Sequence, residues 1–458
     1  MDVLTISRAG RRRFAIVGLV TAVALGLAAC GGGGGGTEAT PTTEAAPPAT
    51  TEAAPPTETG PAPADAYPVV DYVAFTGGTA GAADPSLEPI AVGYANWESG
   101  AGNQAATTLG AQAAIDYVNQ YLGGIGGHPL ELHSCFMASG GDPEAEGLRC
   151  GQQLVNDDAV SIIAYGAVFF GNQSLASAVG GKKPILNGVS SPFDEKVPNM
   201  YSLFGSQTSV LAPWATFLTD VLGAQTAAVV YPEQAGADTA AQSFKVGLDA
   251  AGIENKIVGY NPSQPDVLGA LTAAGLEDAD AFIPSGDQTT CVIIAQALES
   301  IGSTTPVVSG PLCLAPPVAE GLGGDFPKWI YGIAQSLPND VTAPDSKAYL
   351  DASALVGLSP ADAGNVFSAL VWSEIMVTAR LMNAVGADNI TPDALGAGIQ
   401  AFEGPLPMGA PTLDCGYDPN APAVCNNQTK FYQYNGGLFE GNPDAFTAAS
   451  DWLRPPGQ

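Results

Sequence analysis

The sequence predicts an α/β protein built as two open units, each a mainly parallel sheet with helices on both faces. Three observations carry that fold class. Strand and helix signals alternate from about Glu88 to the C-terminus, and the rhythm restarts after Ser209. The stretch involved, roughly 370 residues, is also too long for one small core and suits two domains.

Pro89 to Tyr94 reads as a buried strand, followed by a loop that holds Trp97, Glu98, Ser99 and Gly100. From Gln104 to Leu122 apolar residues recur at helical spacing, among them Ala111, Ala114, Ile115 and Val118, and Gly123-Gly124 stops the helix. His128 to Ser134 is the next strand, Asp142-Pro143 opens a helix through Leu154, and Ala159 to Ala164 is a third strand. This strand and helix alternation makes a parallel sheet. After Ser209 a helix is expected from about Leu211 to Leu222, a strand at Thr226 to Tyr231, a helix at Asp238 to Ala251 and a strand at Lys256 to Tyr260. Ala281 to Pro284, a helix near Thr290 to Ile301, and Pro306 to Ser309 continue the pattern. Ligands of such sheets lie beyond the carboxyl ends of the strands.

Ahead of this region, Arg8, Arg11, Arg12 and Arg13 precede an uncharged run from Phe14 to Ala29 that is too short to span a bilayer comfortably. Residues 1–29 therefore read as a signal peptide. Leu27-Ala28-Ala29-Cys30 resembles the bacterial lipobox, which implies a diacylated Cys30 thiol, cleavage before it, and a chain anchored to the outer face of the cell membrane. Six glycines follow, and then a segment rich in Thr, Glu, Ala and Pro in which Thr42 to Pro48 is repeated as Thr50 to Pro56. Such a composition cannot bury enough apolar surface to offset its conformational entropy. Residues 30–66 are accordingly expected to be a tether, and residues 67–87 an N-terminal extension of the globular part.

The chain carries 15 basic and 45 acidic residues, and loss of the four arginines and Asp2 with the signal takes the formal charge from −30 to −33. Nucleic acid is excluded as a partner, because no basic stripe interrupts this negative field and Lys182-Lys183 is the only adjacent basic pair in the mature chain. Beyond Cys30, Cys135, Cys150, Cys291, Cys313, Cys415 and Cys425 form an even set, which in an exported chain reads as disulfides. Six cysteines allow 15 pairings; the expectation is pairing of sequence neighbours, each closing a short loop. Zinc is the competing reading. It lacks any Cys-x-x-Cys, and the spacing of His128 and His133 places them on opposite faces of a strand, so no metal or cofactor is expected.

Ala113 to Asn119 followed by Gly123 to Leu132, then Asp142-Pro143 and Gln152 to Val155, resembles the type I solute-binding proteins of the branched-chain amino-acid uptake group. Pro184 to Asn187 before Ser190-Ser191-Pro192, Ser309-Gly310-Pro311 and Gly404-Pro405-Leu406 extend the resemblance over about Glu88 to Gly437. It implies the two-lobed type I periplasmic-binding-protein fold, with residues 88–208 and 336–427 in one lobe and 209–335 and 428–458 in the other. Three crossovers are then expected near Ser206 to Ser209, Ile333 to Leu337 and Asn427 to Tyr432. The resemblance also favours pairing Cys135 with Cys150.

The function implied is an extracytoplasmic substrate-binding subunit of an ABC importer, with a small organic ligand and membrane permease subunits as partners. By position, the ligand loops are those of Trp97, of Phe169-Phe170-Gly171-Asn172, of Val189-Ser190-Ser191, and of Gly286-Asp287-Gln288 with Leu312. The chain departs from the amino-acid pattern where Phe169-Phe170 replace small hydroxyl residues and Leu312 replaces an acidic one. An aromatic or extended apolar ligand is expected, with Ser190, Ser191 and Asn172 on a carboxylate or carbonyl end. Catalysis is not expected: no Gly-x-Ser-x-Gly elbow or P-loop is present, and there are 2 histidines. A sensor that feeds a membrane signalling protein uses the same fold and is the alternative; a surface hydrolase is more remote.

Overall fold

A computed structural model describes residues 65–99, 104–138, 142–168, 170–188, 190–234, 237–340, 342–416, 418–435, 439–441 and 447–448. The signal peptide, Cys30 and the tether up to residue 64 lie outside them. The first lobe begins with the short helix α1 (Tyr72–Thr76) and is built on strands β1 (Ile90–Ser99), β2 (Leu130–Ala138), β3 (Val160–Tyr165), β4 (Ile185–Asn187) and β5 (Met200–Ser202). These five are parallel, in the order β2-β1-β3-β4-β5. Helices α2 (Ala105–Tyr121), α3 (Pro143–Val155) and α4 (Asn172–Val179) connect them.

Strand β1 explains why the sheet has a core on each face. Successive side chains of a strand point to opposite sides. Val92 and Tyr94 enter one core together with Ala114 and Val118 of α2, whereas Ala91, Ala95 and Trp97 enter the other with Cys150 and Leu154 of α3. The strand expected to end at Tyr94 continues to Ser99, because Ala95 and Trp97 keep the apolar alternation and Trp97 stays in register with Met137 of β2. Trp97 is thus a strand residue and not a loop residue.

The second lobe holds α5 (Gln207–Asp220), β6 (Thr226–Pro232), α6 (Ala237–Ala250), β7 (Glu254–Tyr260), α7 (Val267–Ala273), β8 (Ala281–Pro284), α8 (Gln288–Ile301), β9 (Val308–Ser309), α9 (Pro316–Gly321) and β10 (Ile330–Ile333). The chain then returns to the first lobe as α10 (Pro344–Leu355), α11 (Pro360–Ala363), α12 (Val366–Val385) and α13 (Pro392–Gln400). The described residues end in the second lobe with β11 (Gln428–Tyr434), β12 (Phe439–Gly441) and β13 (Thr447–Ala448). Strands β7-β6-β8 are parallel, and a bridge between Phe282 and Val307 links them to the β12-β11-β10-β9 set, in which β10 and β11 run antiparallel. Trp214, Phe217 and Phe244 form the core on one face of this sheet, and Leu271, Ile294 and Val318 contribute to the core on the other.

Helix α12 is apolar nearly all round and fills the centre of the first lobe, with Trp372, Ile375, Met376 and Val377 buried. It approaches α2 so closely that a Cβ on Gly110 would lie 2.7 Å from the Cα of Ser368. Only glycine fits there. The 67–87 extension is part of the same core: Tyr72 packs edge-on against Tyr117 and Trp372, and the Arg380 guanidinium lies 5.0 Å from the ring centre of Phe75.

Three crossovers join the lobes and are bonded to one another. Ser206 caps α5 in a reciprocal box with Ser209, and the Ser209 hydroxyl donates to the Asn426 carbonyl, 2.8 Å. Thr429 donates to the Val210 carbonyl, and the Leu337 amide donates to the Tyr432 hydroxyl. Lys430, fully buried, donates to Ser336, which donates to Asp345. Disulfides join Cys135 to Cys150, Cys291 to Cys313 and Cys415 to Cys425, the three neighbour pairs. Among the described residues no helix is long and apolar enough to cross a membrane, and no group of three or more His, Cys, Asp or Glu is arranged to hold a metal.

Candidate functional site

Between the lobes lies a cavity of about 270 Å³ with walls from both. The first lobe supplies Val168 after β3, Ser191 and Asp194 after β4, and Phe367 and Leu370 from the start of α12. From the second lobe come Trp214 and Phe244, the Pro284-Ser285-Gly286 turn after β8, and the segment from Ser309 to Cys313 after β9. Val210 of α5 and Gly332 and Ile333 of β10 add to the second-lobe side, and Ala334 and Gln335 belong to the crossover after β10. This is the place where strand carboxyl ends from two open sheets meet. Larger hollows of about 550 and 730 Å³ each lie within one lobe, around Phe193 in the first and Trp329 in the second. Neither is bounded by both lobes.

Local sequence sets the walls. A Cβ on Gly332 would lie 2.6 Å from the Trp214 ring, so glycine lets the indole cover strand β10. Phe244 and Phe431 hold that indole, with ring centres 5.0 and 6.0 Å away. The Cys291–Cys313 disulfide ties the Pro311–Leu314 turn, and with it Leu312, to helix α8. On the facing side Asn365 caps α12 by accepting from the amides of Phe367 and Ser368, and so brings Phe367 to the cavity.

Asp194 is the only charged residue on this wall among the described residues and is 1 % exposed. Both its oxygens accept from Asn172 Nδ2 at 2.9 Å, and Oδ2 also accepts from the Ser191 amide at 3.0 Å and hydroxyl at 2.9 Å. Burial pushes its carboxyl above the ordinary carboxylate value, against the hydrogen bonds from Asn172 and Ser191. Nearby, Gln335 donates to the Val366 carbonyl at 2.8 Å, tying a crossover to α12.

Of the residues expected from sequence, Ser191, Gly286 and Leu312 stand on the cavity wall. Asn172 stands behind it as a donor to Ser191 and Asp194. Ser190 is buried with its hydroxyl against that of Ser202. Trp97, 2 % exposed, lies in the outer core of the first lobe, where its indole N–H donates to the Phe170 carbonyl. Phe170 packs edge-on against it and is 55 % exposed. Neither ring lines the cavity. Asp287 is exposed and caps α8 by accepting from the Thr290 amide and hydroxyl, and Gln288 begins that helix; neither lines the cavity. Phe169 and Val189 lie outside the described residues. Sequence reasoning missed Asp194, Trp214, Phe244, Gln335 and Phe367. A signal existed only for Phe367, in the Asn365 cap that opens an apolar helix.

The sequence model described as periplasmic binding protein matches residues 89–423. No curated protein matches the chain in sequence. Among solved structures, a solute-binding protein of an ABC transporter from R. palustris, in complex with 4-hydroxybenzoate, is similar at TM-score 0.61 and 17 % identity, covering 80 % of this chain and 99 % of that one. An ABC transporter substrate-binding protein from Desulfitobacterium hafniense, in complex with Leu, gives 0.61 and 16 %, covering 77 % and 100 %. A leucine-binding protein from Thermotoga maritima gives 0.60 and 16 %, covering 78 % and 99 %. With its two lobes, three crossovers and interlobe cavity, the chain belongs to the periplasmic binding protein family and has the type I fold of leucine-binding-protein-like ABC transporter substrate-binding proteins.

Proposed function

We propose that the mature chain is the lipid-anchored substrate-binding subunit of an ABC importer and holds one small organic molecule, unaltered, in the interlobe cavity. One observation carries this reading: both lobes contribute walls to one cavity, with Ala334 and Gln335 of a crossover between them. A molecule that touches both lobes favours their closed arrangement by its differential affinity for it, and membrane permease subunits can then recognise that shape. The aromatic and aliphatic lining supports a ligand with an apolar body, of the amino-acid, amide or apolar carboxylate kind. Structural neighbours bound to leucine and to 4-hydroxybenzoate support that range.

A thermal-shift panel of amino acids, amides, aromatic acids and fatty acids on the mature protein tests the reading. A true ligand at about 100 times its Kd adds about 2.7 kcal/mol, and small-angle scattering should show the lobes closing. Recovery of chemically altered ligand at catalytic rates overturns it. The anchor rests on the lipobox and the tether behind it, and is tested by intact mass and detergent partitioning. Membrane retention of Cys30→Ala would refute it.

A further inference from the structure

The polar atoms of the cavity wall are unevenly committed. Ser191 spends its amide and hydroxyl protons on Asp194, as does the Asn172 amide group behind it. Gln335 spends an N–H on the Val366 carbonyl, Ser309 its hydroxyl on Cys313 Sγ, and the first amides of α12 are taken by Asn365. These particular donors are consumed within the protein. What the wall can still offer is mixed: Gln335 Oε1 accepts, Asp194 Oδ1 carries the Asn172 bond while Oδ2 carries that and both Ser191 bonds, the second Gln335 N–H and the Trp214 indole N–H donate, and the Ser285 hydroxyl serves either way. No lysine, arginine or histidine stands among the described residues of the wall.

A carboxylate entering this cavity leaves water to meet an acid and no cation, which is costly in an apolar surround. The whole chain, at formal charge −30, adds a field of the same sign. An ammonium or amide N–H instead meets acceptors already held in place, while Trp214, Phe244 and Phe367 take its apolar body. We propose that the cavity selects a small apolar or aromatic primary amine or amide, anchored through Asp194 and Gln335, over a ligand that ends in a free carboxylate. This rests on the reading of the cavity as the solute site.

Calorimetry on the mature protein with 2-phenylethylamine, phenylacetamide, phenylacetate and phenylalanine tests it, since these probes share one benzyl body and differ in the polar end. The amine and amide should bind about tenfold or more tighter than phenylacetate, and Asp194→Asn should weaken the amine about tenfold. Tightest binding by phenylacetate, or unchanged amine affinity in Asp194→Asn, overturns the inference and leaves the solute-binding role intact. If Asp194→Asn does not fold, the wild-type ranking decides alone. Binding by none of the four overturns the inference, and the proposed function falls with it only if the broader panel also stabilises nothing.

Discussion

Cutting the Cys291–Cys313 disulfide separates two roles that one covalent bond combines here. It closes a loop of sequence separation 22 and also fixes the turn that carries Leu312 and Cys313 onto the cavity wall. Restricting an unfolded loop of that length is worth about 3.4 kcal/mol in the chain-entropy account. Cys291→Ala with Cys313→Ala should therefore lower stability by about 3 to 4 kcal/mol, part of it from lost packing of two buried sulfurs. Urea unfolding measures that loss. The matching control is Cys135→Ala with Cys150→Ala, which opens a separation of 15 in the outer core of the first lobe and should cost about 3 kcal/mol by the same relation. Only the first variant should lose ligand affinity, by about tenfold on calorimetry, because only there does a wall of the cavity come loose. Equal affinity loss in the two variants, or none in the first, would refute the assignment of the Pro311–Leu314 turn to the site.

Three further outcomes are expected. Trp97→Ala should cost about 3 to 5 kcal/mol of stability with ligand affinity unchanged, since the indole fills the outer core; urea titration and calorimetry read the two effects separately. Glu374, fully buried on α12 with neither carboxyl oxygen hydrogen-bonded, is pushed far above its ordinary value of 4.5 by burial. The folded state then holds a proton that the unfolded state releases, so stability falls as pH rises above about 4.5. Glu374→Met should gain about 1 to 3 kcal/mol, more at pH ~8 than at pH ~5, and a pH-independent difference would contradict it. The His133 pKa is raised from 6.5, first by its hydrogen bond to Asp157, with Glu131 adding to it. Its stabilising contribution is complete below the unfolded value and is lost as pH rises through the folded one. The difference between wild type and His133→Ala should shrink over that window. It should stay below about 1 kcal/mol because the pair is partly exposed.

Fold class, most strands and helices up to Ser309, and the disulfide pairs were legible because each is written in residues near one another in sequence. Gly123-Gly124 after an apolar stripe, Asp142-Pro143 before another, and cysteines in three short intervals need no tertiary information. The site was less legible. Ser191, Gly286 and Leu312 reached the wall as strand-end residues, whose direction is fixed by the sheet. Trp97 and Phe170 looked like ligand contacts because they are large and follow a strand. The alternation of β1 instead continues for five residues and turns the indole into the outer core.

What the sequence determined by itself is therefore local and periodic: most elements up to Ser309, their mainly parallel arrangement, and the covalent staples. Tertiary structure alone decided which side chains meet. Asp194 became the charged residue of the wall because Asn172 and Ser191, 22 and 3 residues away, converge on its carboxylate. Trp214 became a wall because Gly332, in a strand more than a hundred residues later, leaves room for its ring. Burial and hydrogen-bond partnership are sums over neighbours from both lobes, and hydrophobic periodicity tells only which side of one element is apolar, not which other element it will face.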